Sequence, residues 1–181
     1  MQKVLYIHGH GSTAMSSKTM YVMDKIMRSI GLDLISIEWD ENHPKESIFK
    51  IEEYVDENKI QYVIGHSLGG FIALCLVNNV KKVIINPALH PSKDLKAVEE
   101  FDEKVLAEYK ALEDWLDGDR QIPWVSYAAN VLALFSKDDD QLHYYKEYCE
   151  LFSQAFEIPG GHRPTENDLD GVKDMIEMLF S

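Results

Sequence analysis

The segment Gly65-His66-Ser67-Leu68-Gly69 places a serine between two glycines in the spacing G-x-S-x-G. It lies between the strand-like run Tyr62-Val63-Ile64 and an apolar helical stretch that begins near Leu68. Glycines on both sides let strand and helix approach closely, and the sharp turn holds the serine in a strained conformation at a helix N-terminus. The amides there favour developing negative charge, so the pattern predicts a nucleophilic Ser67. The alternative is a glycine-rich turn without chemistry.

A second glycine-rich segment, His8-Gly9-His10-Gly11-Ser12, directly follows the first strand-like run. Its backbone amides can face the nucleophile from the neighbouring strand. We therefore predict that the amides of His10 and Leu68 form an oxyanion hole, which binds the negatively charged oxygen of an acyl-transfer intermediate. A phosphate-binding loop is the rival interpretation, but the Lys-Ser/Thr pair that such a loop requires does not follow at the right spacing.

His162 is the candidate general base, because it follows the sixth strand-like run and precedes the last helical segment. Three acidic residues after the fifth run, Asp138, Asp139 and Asp140, supply a carboxylate that could orient its imidazole, in the chain order Ser, Asp, His. Asp140 lies where a helix is expected to begin, so we assign it to helix capping. These arguments do not choose between Asp138 and Asp139 as the residue that orients the imidazole. No matching ligand cluster supports metal binding by the three aspartates, and we expect no metal and no cofactor.

Short β-rich runs alternate with segments of helical periodicity along the chain. This alternation predicts one α/β domain over residues 1–181, with a parallel six-stranded sheet. The predicted strands are Val4 to His8, Leu34 to Ile37, Tyr62 to Gly65, Lys82 to Asn86, Val131 to Phe135 and Ala155 to Ile158.

One stretch interrupts the alternation. Lys93 to Asp117 has the pattern of a single long helix with an apolar face and an acidic face. We expect a small helical cap over residues 88–129, inserted after the fourth strand. Its aromatic residues, with Pro123, Trp124 and Tyr127 in the following loop, either pack the cap down or line a substrate pocket. The apolar face is also compatible with a homodimer contact.

The chain has 18 Lys and Arg residues against 31 Asp and Glu, a net charge of −13. A field of this sign repels polyanions, so we expect no nucleic acid partner and no membrane partner. The N-terminus runs straight into a strand-like segment, and no apolar run reaches membrane-spanning length, which predicts a soluble cytoplasmic protein. Two cysteines, Cys75 and Cys149, form neither a disulfide framework nor a metal pattern.

The chain resembles the small α/β-hydrolase-fold esterases of the YqiA-like (UPF0227) family over nearly its whole length. The likeness rests on five segments: Tyr6-Ile7-His8-Gly9, Gly65 to Gly70, Asn86-Pro87-Ala88, Asp139 to Tyr144 and Gly160-Gly161-His162. The resemblance implies a serine triad without a cofactor. It also favours Asp139 as the acid, because the family places its acid five residues before a tyrosine, here Tyr144.

Together with this resemblance, these observations predict a single α/β-hydrolase domain with the strand order 2-1-3-4-5-6 and helices on both faces of the sheet. They also predict a serine hydrolase that cleaves a small-molecule ester through an acyl-enzyme on Ser67. His162 would be the base, Asp139 the acid, and the amides of His10 and Leu68 the oxyanion hole. Short-chain esters are the expected substrates, as the resemblance implies. Two alternatives stay open: an acyl thioesterase, and a non-catalytic module that binds a ligand through the same pocket.

Overall fold

Six parallel strands form the central sheet of the computed structural model, which describes residues 2–97, 101–118, 130–142, 144–149, 152 and 154–180. The strand order β2-β1-β3-β4-β5-β6 confirms the predicted order. The strands are β1 (Gln2–Ile7), β2 (Leu32–Ser36), β3 (Tyr62–His66), β4 (Lys81–Ile85), β5 (Val131–Ser136) and β6 (Gln154–Ile158).

The central strands are buried on both faces. All five residues of β3 and all six of β5 are buried, as expected for a parallel sheet covered by helices on each side. The register aligns the strand ends: Ile7 lies opposite Gly65, and Ser136 lies opposite Ile158. The loops that follow these strands therefore emerge side by side at one edge of the sheet.

Helices cover both faces of the sheet, which confirms the predicted architecture. On one face, buried residues of the helices after β1 and after β6, such as Met23, Met27 and Ile176, pack against Val4 and Ile64. A second core, on the other face, contains buried residues of the helices after β2 and β3. The described helices are α1 (Lys18–Ser29), α2 (Pro44–Glu57), α3 (Leu68–Cys75), α4 (Pro91–Asp94), α5 (Glu103–Gly118), α6 (Tyr145–Tyr148), α7 (Glu166–Leu169) and α8 (Lys173–Phe180).

The prediction of one continuous helix from Lys93 to Asp117 is wrong. The chain instead forms α4, a 3-10 turn at Leu95–Ala97, and the separate helix α5. The Asp102 carboxylate accepts a hydrogen bond from the Val105 amide at 2.9 Å, which caps the start of α5 as a new helix. Residues 98–100 and 119–129, including Pro123, Trp124 and Tyr127, lie outside the described residues.

The insertion between β4 and β5 packs against the edge of the sheet where the loops emerge. The phenol of the buried Tyr109, on α5, donates a hydrogen bond to the backbone carbonyl of Glu41 at 2.8 Å. Phe101, just before α5, lies 5.3 Å from the ring of His10, measured between centroids. The described part of the insertion is therefore anchored beside the loop that follows β1.

A buried carboxylate joins helices α4 and α5 of the insertion. Glu113 on α5 is 7% exposed and accepts hydrogen bonds from both the backbone amide and the hydroxyl of Ser92 on α4, at 2.7 and 2.8 Å. A buried donor that loses its acceptor keeps its full desolvation cost. The pair therefore stabilises the position of α4 on α5.

We predict that Glu113→Ala lowers the free energy of unfolding by about 1–3 kcal/mol, because it removes two hydrogen bonds that the half-buried Ser92 donates to a buried carboxylate. Urea unfolding followed by circular dichroism measures this change. Asp114→Ala is the matched control: this neighbouring carboxylate is exposed and pairs with the exposed Lys110, so its loss should change the stability little. Equal effects of the two variants would contradict the assigned role of Glu113.

Candidate active site

Ser67 occupies the turn between β3 and α3 in a conformation that L-residues rarely adopt, with φ 55° and ψ −123°. The surrounding backbone holds this strained turn in place. The Ser67 amide donates to the carbonyl of Ile85 at the end of β4, at 2.9 Å, and its own carbonyl accepts from the amide of Ala88 at 3.0 Å. The backbone of Ser67 is therefore hydrogen-bonded both to the end of β4 and to the loop that follows β4.

Two glycines permit the close packing around this turn. A Cβ atom added to Gly65 would lie 2.3 Å from the carbonyl oxygen of Gly69, and one added to Gly69 would lie 2.2 Å from that of Ile7. Such distances exclude any side chain at either position. The glycines of the G-x-S-x-G pattern are therefore required by the contact of β3 and α3 with the end of β1.

His162 connects Ser67 to Asp139 through its two ring nitrogens. Its Nδ1 lies 2.9 Å from Oδ2 of Asp139, and its Nε2 lies 3.0 Å from the hydroxyl oxygen of Ser67. Because an ionised carboxylate can only accept, Nδ1 carries the proton, and Nε2 of the neutral ring is left as an acceptor for the serine hydroxyl. Both His162 and Asp139 are buried.

The structure places Asp139, and neither of its neighbours, against His162. Asp139 is fully buried, whereas Asp138 and Asp140 are exposed. The expectation that Asp140 caps the following helix is wrong. Helix α6 begins only at Tyr145, and it is Asp139 whose Oδ1 accepts from the two free amides after the turn, Gln141 at 2.8 Å and Leu142 at 2.9 Å.

The hydrogen bonds to Asp139 keep it in its charged form. Burial by itself raises the pKa of this carboxyl group. The hydrogen bond with His162, those from the backbone amides of Leu142 and Gln141, and the charge of His162 outweigh burial, so the pKa of Asp139 lies below its ordinary value. A charged carboxylate therefore faces Nδ1 of His162 at neutral pH.

Sequence reasoning missed two buried residues that hold the backbone of His162. Its carbonyl oxygen accepts hydrogen bonds from Nε2 of His66 at 2.8 Å and from Nδ2 of Asn86 at 2.9 Å. Asn86 is fixed in turn because its Oδ1 accepts from the amide of Ser136 at 2.6 Å. The signal available in the sequence was their position: each is a polar residue at the C-terminal end of an apolar, buried strand, His66 at the end of β3 and Asn86 directly after β4.

The segments that hold the predicted oxyanion residues both adjoin Ser67. A Cβ atom added to Gly9 would come within 2.8 Å of Cβ of Ser67, so the loop after β1 touches the serine directly. His10 follows in that loop, with its Nδ1 2.5 Å from Oε2 of Glu41. Leu68 is the first residue of α3, and its side chain is buried in the core below.

A cavity of about 350 Å³ opens at Ser67 and His162, between the loop after β1 and the loops after β5 and β6. It has room for a small molecule beside the serine hydroxyl. Within the described part of the chain, no three His, Cys, Asp or Glu side chains are grouped so that they could hold a metal ion. No helix of that part is long and apolar enough to cross a membrane.

Solved structures with the same fold define the class. The structure resembles Est1E from Butyrivibrio proteoclasticus (TM-score 0.69, 15% identity, covering 99% of this chain and 88% of that one). It also resembles the esterase domain of a Rhodothermus marinus protein (TM-score 0.67, 13% identity, 98% and 85%). A third similar structure is the thioesterase domain from the curacin biosynthetic pathway (TM-score 0.59, 11% identity, 99% and 91%). The protein has the α/β-hydrolase fold.

The family follows from the sequence itself. Residues 3–160 match the uncharacterised protein family UPF0227, so the chain belongs to that family, as its motifs indicated. No curated protein matches the sequence. The esterases, hydrolases and thioesterase among the similar structures support a hydrolase.

The burial of His66 has a measurable consequence. Burial, together with the charge of the neighbouring His162, lowers the pKa of His66 to about 4. We predict that the His66 ring protons show no titration in NMR spectra above about pH 5. Exposed His43 is the internal control, because its hydrogen bond to Asp40 raises its pKa above the ordinary value of 6.5. Titration of His66 near pH 6.5 would contradict the assigned burial.

The lowered pKa of His66 also makes the free energy of unfolding depend on pH. Between about pH 6.5 and pH 4 the unfolded chain binds a proton at His66 that the folded protein does not, so the free energy of unfolding falls as the pH is lowered through this window. The contribution lost is of the order of 3 kcal/mol. In urea unfolding at several pH values, His66→Gln should lose correspondingly less stability across the window than the unsubstituted protein.

Proposed function

We propose that this protein is a serine esterase that hydrolyses carboxylic esters of small molecules through an acyl-enzyme on Ser67. The observation that carries the proposal is the continuous hydrogen-bonded chain from Ser67 through His162 to the buried, charged Asp139. A serine hydroxyl becomes a nucleophile when a neighbouring base accepts its proton and a third group orients that base. Ser67 and His162 line the cavity, and Asp139 is bonded to the other ring nitrogen of His162, which supports this mechanism.

In the first half of the reaction, the hydroxyl oxygen of Ser67 attacks the ester carbonyl carbon while Nε2 of His162 takes the hydroxyl proton. The imidazolium that forms is stabilised by Asp139, which does not itself become protonated. Collapse of the tetrahedral intermediate breaks the bond between the carbonyl carbon and the leaving-group oxygen. Because His162 then gives its proton to that oxygen, an alcohol leaves and an acyl-serine ester remains.

In the second half, a water molecule replaces the alcohol. His162 takes a proton from the water, whose oxygen attacks the acyl carbon and forms a second tetrahedral intermediate. The bond to the serine oxygen breaks, and Ser67 regains its proton from His162. Each turnover therefore consumes one ester and one water and releases one acid and one alcohol, with no cofactor entering the balance.

Negative charge develops on the carbonyl oxygen in both intermediates. We assign its stabilisation to the backbone amides of His10 and Leu68. The Leu68 amide lies at the N-terminus of α3, where the helix dipole favours an anion, and His10 lies in the loop whose Gly9 contacts Ser67. Backbone donors suit this task because the fold holds them in place before the charge appears.

Thioester hydrolysis uses the same acyl-enzyme, and one of the similar structures is a thioesterase domain. Matched substrates that share one acyl group, an oxygen ester and a thioester, separate the two activities by their kcat/KM values. The remaining alternative is a module that binds a ligand without turning it over. A strained serine hydrogen-bonded to a buried histidine counts against that alternative, since binding alone needs no such strain.

We predict that a fluorophosphonate probe labels the protein covalently and that Ser67→Ala abolishes both labelling and hydrolysis of p-nitrophenyl acetate. The probe reacts only with an activated serine, which this substitution removes without enlarging a side chain. Mass spectrometry of the intact protein measures the labelling. Ser29→Ala is the control, since Ser29 lies at the end of α1 and its hydroxyl donates to the carbonyl of Ile26. Labelling of Ser67→Ala at the original rate would contradict the proposal.

The three neighbouring aspartates provide a second test. Asp139→Asn should lower kcat/KM for an ester by about 10²–10⁴-fold, because an amide cannot orient and stabilise the imidazolium as a carboxylate does. Asp138→Asn and Asp140→Asn carry the same chemical change on exposed side chains, and we expect less than about a threefold effect from either. A large loss in Asp138→Asn together with a small one in Asp139→Asn would overturn the assignment.

A further inference from the structure

The cavity beside Ser67 has an unusual lining for an esterase of simple alkyl esters. Its wall consists of glycines, hydroxyl groups, an amide, imidazoles and two cations. Among the described residues that line it, none has a hydrocarbon side chain such as that of leucine, valine or phenylalanine. Sites for apolar ligands are lined mainly by such side chains. The lining therefore matches a polar substrate better than a hydrocarbon chain.

The charged side chains in the described part of this wall are both positive. Lys18, at the start of α1, and Arg163, directly after His162, line the cavity from two separate segments of the chain. No Asp or Glu belongs to the lining that the structure describes, although the whole chain has 31 acidic residues against 18 basic ones. Within the described residues, neither Lys18 nor Arg163 forms an ion pair.

The first turn of α1 adds to the positive potential. Ser17 caps this 12-residue helix by accepting a hydrogen bond from the amide of Met20, and Ser17, Lys18 and Thr19 all line the cavity. The first turn carries no acidic side chain that would neutralise the helix dipole. Together with Lys18 and Arg163, the exposed end of α1 favours a bound anion.

Two carboxylates that are bonded to residues of the cavity wall are already engaged. Asp139 is bonded to His162 and to two backbone amides, and Glu41 is held by Nδ1 of His10. Neither is left to neutralise Lys18 or Arg163. The net charge of −13 repels anions at long range, but salt screens charges that lie more than about 10 Å apart, so the nearby Lys18 and Arg163 dominate the field that an anion in the cavity meets.

From this lining we infer that the ester substrate carries an anionic group, a carboxylate or a phosphate, which Arg163 and Lys18 bind while Ser67 attacks the ester carbonyl. The inference rests on the proposed esterase function. Arg163 is suited to the contact because its guanidinium forms paired hydrogen bonds with carboxylate and phosphate oxygens. The alkyl esters used as general probes would then be poor substrates.

Two pairs of esters test the inference and show which side of the ester carries the anion. For the acyl side, p-nitrophenyl hemiglutarate is compared with p-nitrophenyl valerate, which has a similar length and no charge. For the leaving-group side, 4-acetoxybenzoate is compared with its methyl ester. We expect the anionic member of one pair to have a kcat/KM at least about tenfold higher, as a hydrogen bond to a charged group contributes. Added salt should reduce this ratio.

Variants of the two cations identify the binding group. Arg163→Gln and Lys18→Gln should each lower the ratio of kcat/KM values, anionic over neutral, by about fivefold to tenfold. The ratio is the readout because general damage to His162, the neighbour of Arg163, would lower both substrates together. Lys25→Gln is the matched control. Lys25 lies on the same helix, but outside the cavity, and pairs with Glu166, so its loss should leave the ratio unchanged.

The outcomes separate this inference from the function on which it rests. Ratios near one for both pairs in the unsubstituted protein would overturn the anionic substrate and leave the esterase intact. A high ratio that neither cavity variant lowers would overturn the assignment to Arg163 and Lys18. If no ester is hydrolysed and no fluorophosphonate label appears on Ser67, the proposed esterase function itself fails. Inorganic phosphate, added as a competitor, should inhibit turnover if the group is a phosphate.

Discussion

The contact of β3 and α3 with the end of β1 is the constraint on which the rest of the site depends. Gly65 and Gly69 are packed so closely that an added Cβ atom would lie 2.3 and 2.2 Å from the carbonyl oxygens of Gly69 and Ile7. This contact keeps Ser67 at a positive φ that the residue would not adopt by itself. It also brings the loop with Gly9 against the serine, so the same packing fixes both the turn at Ser67 and the loop beside it.

The remaining groups reach Ser67 because the parallel strands end at one edge of the sheet. The loops after β5 and β6 are joined by backbone hydrogen bonds, such as that from the Asp138 amide to the carbonyl of Gly160 at 3.0 Å. His66 and Asn86 then hold the carbonyl of His162, while Asp139 holds its ring. Because His66 is buried and neutral at physiological pH, it can hold His162 without adding a second positive charge beside it.

Local sequence patterns predicted the strands well, because the burial of apolar side chains dominates their formation. Continuous apolar runs identified the six strands, because strands buried on both faces tolerate few polar residues, and the strand order came with the resemblance to the α/β-hydrolase fold. The patterns failed where a carboxylate bonds to backbone amides and so sets where a helix begins, which apolar periodicity does not reveal. The apolar spacing from Lys93 to Asp117 predicts one helix, but Asp102 caps a new helix within it. Asp140 has the position of a helix cap, yet the carboxylate of Asp139 takes the free amides instead.

The sequence by itself determined the sheet, the strained turn of Ser67 and the types of residue near the strand ends. These depend on hydrophobic periodicity and on glycine spacing, which act over a few neighbouring positions. Only the tertiary structure decided which aspartate meets His162, that His66 and Asn86 bind its carbonyl, and that the cavity wall is polar and cationic. Each of these depends on residues far apart in the chain, such as Ser67 and His162, and their distances are set by how the loops pack once the sheet has formed.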